Sequence, residues 1–144
     1  VIHHTQFLRN LIEEGKLKID SGIFKDKKIT YQDPCYLGRG NDEYEAPREV
    51  LNTIPSKIIE MKHHKEFALC CGAGGGQMFK EAEKGDKEIF IERIEEAIET
   101  GADIVATACP YCMVMMTDGI KYKNKEEEMK NYDIAELVSM ALGL

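Results

Sequence analysis

Ile104-Val105-Ala106-Thr107-Ala108-Cys109-Pro110-Tyr111-Cys112 is the stretch on which the fold of this 144-residue chain turns. From Asp103 to Ala108 the residues are mostly β-branched or small, as in a strand buried on both faces of a parallel sheet. The run stops at Cys109-Pro110. Proline has no N–H for a ladder, but its fixed φ suits the first position of a helix. The pattern therefore predicts a helix from Pro110 through Gly119, carrying Met113, Val114, Met115 and Met116. A buried strand feeding directly into a helix is half of a βαβ unit.

The same alternation extends outward in both directions. Lys87 to Thr100 is helical in period, with Phe90, Ile91, Ile94, Ala97 and Ile98 in one stripe and Gly101 where a left-handed cap belongs. Lys28 to Gln32 reads as a strand running into Asp33-Pro34-Cys35. Pro47 to Ile54 reads as a helix with Pro47 at its first position, stopped by Pro55. Ile58 to Met61 and Phe67 to Cys71 read as short strands on either side of His63-His64-Lys65-Glu66, and Gln77 to Glu83 as a helical turn or two. At the amino end, Thr5 to Glu14 reads as an amphipathic helix with Thr5 as N-cap and Gly15 as stop. The charged run Lys121 to Lys130 is expected to be a solvated helix end or loop, and Asp133 with Glu136 forms a capping box for a last helix. The expected fold is α/β: one domain over residues 1–144, with a mainly parallel sheet flanked by helices.

Nineteen basic side chains against 26 acidic ones leave a net charge of −7, so no face is basic enough to make nucleic acid the partner. No apolar run approaches the roughly 20 residues needed to span a bilayer. The first residue is Val1, not Met, which predicts a processed, truncated or excised piece of a longer protein. The five cysteines are an odd number, unsuited to a complete disulfide framework. A reducing, cytoplasmic setting is expected, where clustered cysteines signal metal or redox chemistry.

Placed on this scheme, the cysteines converge. Cys35 follows one expected strand, Cys70 and Cys71 end another, and Cys109 follows a third, with Cys112 one helical turn on. Parallel strands would put all five thiols at the carboxyl edge of the sheet, where open α/β sheets bind ligands. Cys109 and Cys112 would face the positive end of a helix, which favours thiolates. Adjacent residues on a regular strand point to opposite faces, so Cys70 and Cys71 require the backbone to leave the strand, and Gly72, Gly74, Gly75 and Gly76 permit it. Each element alone has a plainer explanation. Cys109-x-x-Cys112 equally suits a thiol–disulfide oxidoreductase, and an adjacent cysteine pair suits core packing. The glycine loop lacks the third glycine of a dinucleotide fingerprint and the Lys-Ser/Thr of a P-loop. His63 and His64 read as surface residues, and the methionines at 113, 115 and 116 as helix packing.

Asp33-Pro34-Cys35, then 34 residues, Cys70-Cys71-Gly72 with its glycine tail, then 37 residues, and Cys109-x-x-Cys112 resemble the cysteine-rich CCG domain of heterodisulfide reductases and of related lactate, glycolate and glycerol-3-phosphate oxidation systems. The stretches Asp33 to Arg39, Ala46 to Leu51 and Ala106 to Pro110 look like the relatives that work with electron-transfer flavoproteins. The resemblance covers nearly the whole chain. It implies an iron–sulfur cluster on Cys35, Cys70, Cys71, Cys109 and Cys112, a noncubane 4Fe–4S assembly in heterodisulfide reductases, with zinc as the alternative. It also implies that Gly72, Gly74 and Gly75 offer N–H groups to sulfur and that Arg39 offsets cluster charge. The implied activity is electron transfer to or from a disulfide, quinone or similar acceptor, with a flavoprotein or ferredoxin-like partner, in the cytoplasm or at the cytoplasmic face of a membrane complex. Family members usually carry two such repeats and often a ferredoxin-like segment. This chain holds one repeat, so the isolated domain is expected to be inactive. The competing expectations are a non-catalytic zinc module and a dithiol enzyme using Cys109 and Cys112 alone.

Overall fold

The computed structural model describes residues 1–144. Four strands, β1 (Lys28–Tyr31), β2 (Lys57–Ile58), β3 (Ile104–Thr107) and β4 (Lys130–Asp133), form one sheet in the order β2-β1-β3-β4. Every neighbouring pair is parallel, with Ile29 opposite Ile104 and Ala106 opposite Tyr132. The helices are α1 (His4–Glu13), α2 (Gly38–Asn41), α3 (Glu45–Thr53), α4 (Ile89–Glu99), α5 (Pro110–Tyr122) and α6 (Ile134–Leu142).

β3 occupies an interior position, and all four of its residues are buried. Its pleat divides the core, because alternate residues face opposite sides of the sheet. Ile104 and Ala106 join Ile29, Tyr31, Val50 and Leu51 in a core that also takes in α6 residues such as Ile134 and Leu137, with Leu8 and Ile12 of α1 packed against it. Val105 joins a second core under α4 and α5, containing Ile94, Met116, Ile120, Cys71 and Cys112. The fold is thus a three-layer α/β sandwich, as the buried run at 104–108 predicts.

Several local expectations are corrected. α1 is capped by His3 rather than Thr5, and Thr5 lies buried inside the helix. The His3 ring accepts from the Thr5 N–H, and its Nε2 reaches the Ala108 carbonyl at 3.0 Å. α3 starts at Glu45, not Pro47, because Glu43 Oε1 accepts from the N–H groups of Glu45 and Ala46. Residues 67–71 are not a strand: Lys65–Phe67 is a single 3-10 turn, Phe67 is 73% exposed, and the chain beyond it pairs with no neighbouring strand. Of the strand expected at 58–61 only Ile58 lies in β2. The turn expected at 77–83 ends at Phe79 and is broken at Gly75 and Gly76, both with positive φ. α5 runs beyond Gly119 to Tyr122. Gly119 sits where α5 meets α4, and a Cβ there would lie 2.9 Å from Ile94 Cβ.

Candidate metal centre

β1 and β3 end side by side, so the turns that leave them lie at one edge of the sheet. The turn after β3 places Cys109 at the N-cap of α5 in an extended conformation and Cys112 one turn inside, 2% exposed. The Cys109 sulfur makes no capping hydrogen bond, yet it lies close enough to the Tyr111 and Cys112 amides for them to favour the thiolate. The approach of Cys70 and Cys71 depends on Gly72. Its φ of +94° belongs to glycine, and a Cβ would lie 2.8 Å from Ile89 Cγ2 and 3.3 Å from the Phe90 nitrogen. The resulting turn brings the Gly72 N–H to the Cys70 sulfur at 3.3 Å.

Four thiols meet here. Cys71 and Cys112 sit together in the core under α4 and α5, with Cys70 and Cys109 packed against it. The neighbouring Cys109 and Cys71 sulfurs, together with burial, push Cys112 far up, whereas Cys112 pulls Cys71 well down and Cys109 down to about 6. Cys70 is pushed up, first by Cys71 and then by burial, against the pull of the Gly72 and Gly74 amides. All five cysteines are free thiols. No three His, Cys, Asp or Glu side chains are set in metal-coordination geometry.

Cys35 lies outside the buried cluster, half-buried on the turn after β1. Its neighbours Pro34 and Tyr36 line a cleft of about 680 Å³ together with Cys109 and Pro110. Gly75 has a φ of +64° with open space around it, and Gly74 is equally open. Arg39 donates to the Ala68 carbonyl at 3.1 Å, anchoring the chain just before Cys70. His63 pairs with Glu96, and His64 with the Met61 carbonyl.

Behind the thiols runs a buried polar network that sequence reading left without a role. Arg48 grips Asp33 with both amino groups at 2.8 Å, and its Nε donates to Glu60 at 2.6 Å. Asp33 also accepts from the Lys65 N–H at 2.7 Å. Arg93, fully buried on α4, donates to Gln32, to the His63 carbonyl and to Glu96. The one available signal was Arg93 beside Ile91 and Ile94 in a helical stripe, a spacing that ordinarily marks the polar margin of a helix.

The donor set is all sulfur, with backbone N–H groups aimed at it, and suits a thiolate-ligated iron–sulfur cluster or zinc. The comparisons agree with that chemistry. The sequence profile of the CCG family, described as a cysteine-rich domain, matches residues 29–117. The chain is 41% identical over 143 residues to the "Probable iron-sulfur-binding oxidoreductase FadF" of Bacillus subtilis, covering 99% of this chain and 20% of that protein. It is 38% identical over 148 residues to the "EtfAB:quinone oxidoreductase" of Syntrophomonas wolfei, again 99% of this chain and 20% of that protein. To a dihydromethanophenazine:CoB--CoM heterodisulfide reductase polypeptide of Methanosarcina barkeri it is 45% identical over 149 residues, covering 100% of this chain and 34% of that polypeptide. The chain therefore spans a fifth to a third of these relatives.

Proposed function

The chain belongs to the CCG family of cysteine-rich domains, and from that premise we propose that it is an iron–sulfur-binding domain of an oxidoreductase, acting as one module within a longer electron-transfer assembly. The observation that carries this reading is the meeting of Cys70, Cys71, Cys109 and Cys112 at one sheet edge, two of them biased toward thiolate before any metal arrives. Thiolate is the form that ligates iron. Cys35, on the neighbouring turn, is the fifth ligand or the thiol kept free beside the cleft. When bound, the cluster supplies a site that takes up and gives back electrons.

The chain's own residues prepare that site. The Gly72 amide points at Cys70 sulfur, and hydrogen bonds to sulfur raise a cluster's potential. Cys71 and Cys112 belong to the apolar core under α4 and α5, which screens them from water. The cleft lined by Tyr36, Cys109 and Pro110 leaves one side open to an acceptor. By analogy with the relatives, that acceptor is a disulfide, a quinone or a similar group. The partner is a flavoprotein or ferredoxin-like protein, working in the cytoplasm or at the cytoplasmic face of a membrane complex. No helix is long and apolar enough to cross a membrane.

Anaerobic reconstitution with iron and sulfide, followed by metal and sulfide analysis and electron paramagnetic resonance, tests the reading. The expected result is iron and labile sulfide in near-equal amounts, abolished by Cys71→Ser. Stoichiometric zinc without sulfide in protein never exposed to air would overturn it. So would disulfide reductase activity that survives Cys35→Ser and Cys71→Ser together.

A further inference from the structure

Gln32 is the last residue before the Asp33-Pro34-Cys35 turn and is 1% exposed. Its amide connects segments that are distant in sequence. The Nε2 group donates to the Asp33 carbonyl at 3.1 Å and to the Leu69 carbonyl at 3.3 Å, while Oε1 accepts from Arg93 Nε. This amide orientation follows from the partners: two carbonyls can only accept and a guanidinium can only donate. Arg93 is itself fixed, since its Nη1 donates to the His63 carbonyl at 2.7 Å and to Glu96 Oε2 at 2.6 Å, and the side chain is wholly buried. The pleat places Gln32 with Thr30 on the face of β1 opposite Ile29 and Tyr31, the face toward α4.

Leu69 precedes Cys70 directly, and Asp33 lies two residues before Cys35. The 67–71 stretch belongs to no sheet, so no ladder holds the Leu69 carbonyl. We infer that Gln32, oriented by Arg93, is a positioning residue that clamps the Cys35 turn to the Cys70–Cys71 turn and so sets the spacing of thiols contributed by separate loops. It takes the cluster reading for what those thiols bind, whereas the clamp itself is a property of the metal-free chain.

Two variants separate this role from general stability. Gln32→Glu keeps an acceptor for Arg93 but cannot donate to either carbonyl. Gln32→Asn keeps a neutral amide one methylene too short to reach Arg93 and Leu69 together. In the intact, reduced, metal-free polypeptide, hydrogen exchange of amides at 35–38 and 68–73 is expected to rise at least tenfold in both variants, with α5 and α6 exchanging as in the parent. After reconstitution, iron loss to a chelator is expected to be at least tenfold faster, with an altered paramagnetic resonance signal. Parent-like exchange in both turns would overturn the clamp, and faster exchange with unchanged iron retention would overturn its role in placing the thiols. If the parent takes up no iron and sulfide, the cluster reading fails, and the exchange measurement alone decides the clamp.

Discussion

Among single residues, Cys112 governs the thiol cluster. It is buried in the α4/α5 core, where the neighbouring Cys109 and Cys71 sulfurs, together with burial, push its thiol well up. A neutral donor at that place favours the charged form of its acceptors, as any hydrogen bond to an anion does. Cys109 accordingly titrates at about 6, against an ordinary thiol near ~8.5. In reduced, metal-free protein its alkylation by iodoacetamide, mapped by mass spectrometry, should be half-maximal near pH 6. Cys112→Ala removes the donor at little cost in volume. The Cys109 profile should then move up by about one to two pH units, part of the way back to the unperturbed thiol. An unchanged profile would assign the shift to the α5 amides instead.

Among the secondary-structure elements, α6 offers a sharp test of capping. Asp133 accepts from the Ala135 N–H at 2.8 Å, and Glu136 reaches back to the Asp133 N–H at 2.8 Å. Burial disfavours the Asp133 carboxylate, yet the bond to His4 and the Ala135 amide outweigh it and hold its pKa below the ordinary value. A carboxyl with a depressed folded pKa stabilises the fold above its unfolded pKa, roughly 3.9, and loses that contribution as pH falls through the folded value. Asp133→Ala should cost about 1 kcal/mol at pH 7. Asp133→Asn keeps a cap of similar strength without a titrating charge. Its urea midpoint should therefore fall less than the parent's between pH 5 and pH 2. This capping box was legible because its two partners are three residues apart, and β3 with α5 was legible because Pro110 marks the junction. β4 was not: Lys130-Asn131-Tyr132-Asp133 is an edge strand that follows a charged run and has no fully buried residue. Nor was the irregular path of 67–71, whose Leu69 carbonyl is taken by the Gln32 side chain just after β1, a contact across 37 residues that no local pattern encodes.

Across the molecule, the sheet separates two cores with different duties. One, under α1, α3 and α6, contains no cysteine; the other, under α4 and α5, contains Cys71 and Cys112 among its packed residues. The placing of Cys35 and Cys109 on turns at one edge could be read from chain order and strand polarity, since β1 and β3 are parallel neighbours; the approach of Cys70 and Cys71 could not, because 67–71 is not a strand. Nor could the burial of Cys71 within a core, because it depends on Gly72 turning the chain back under α4. This asymmetry makes stability and site geometry separable. Leu137, in the first core, and Met116, in the second, are both fully buried. Truncating either to alanine should lower the unfolding free energy by about 2–5 kcal/mol, measured by urea titration. At 10 °C, where both variants remain mostly folded, Leu137→Ala should keep the parent's Cys109 alkylation profile and its iron and sulfide content. Met116→Ala opens space in the core that packs Cys71 and Cys112 and should loosen the approach of Cys112 to Cys109, moving that profile up and lowering iron content at equal folded fraction. Equal effects of the two variants on the thiols would mean that the cores act as one body and that the site senses only global stability.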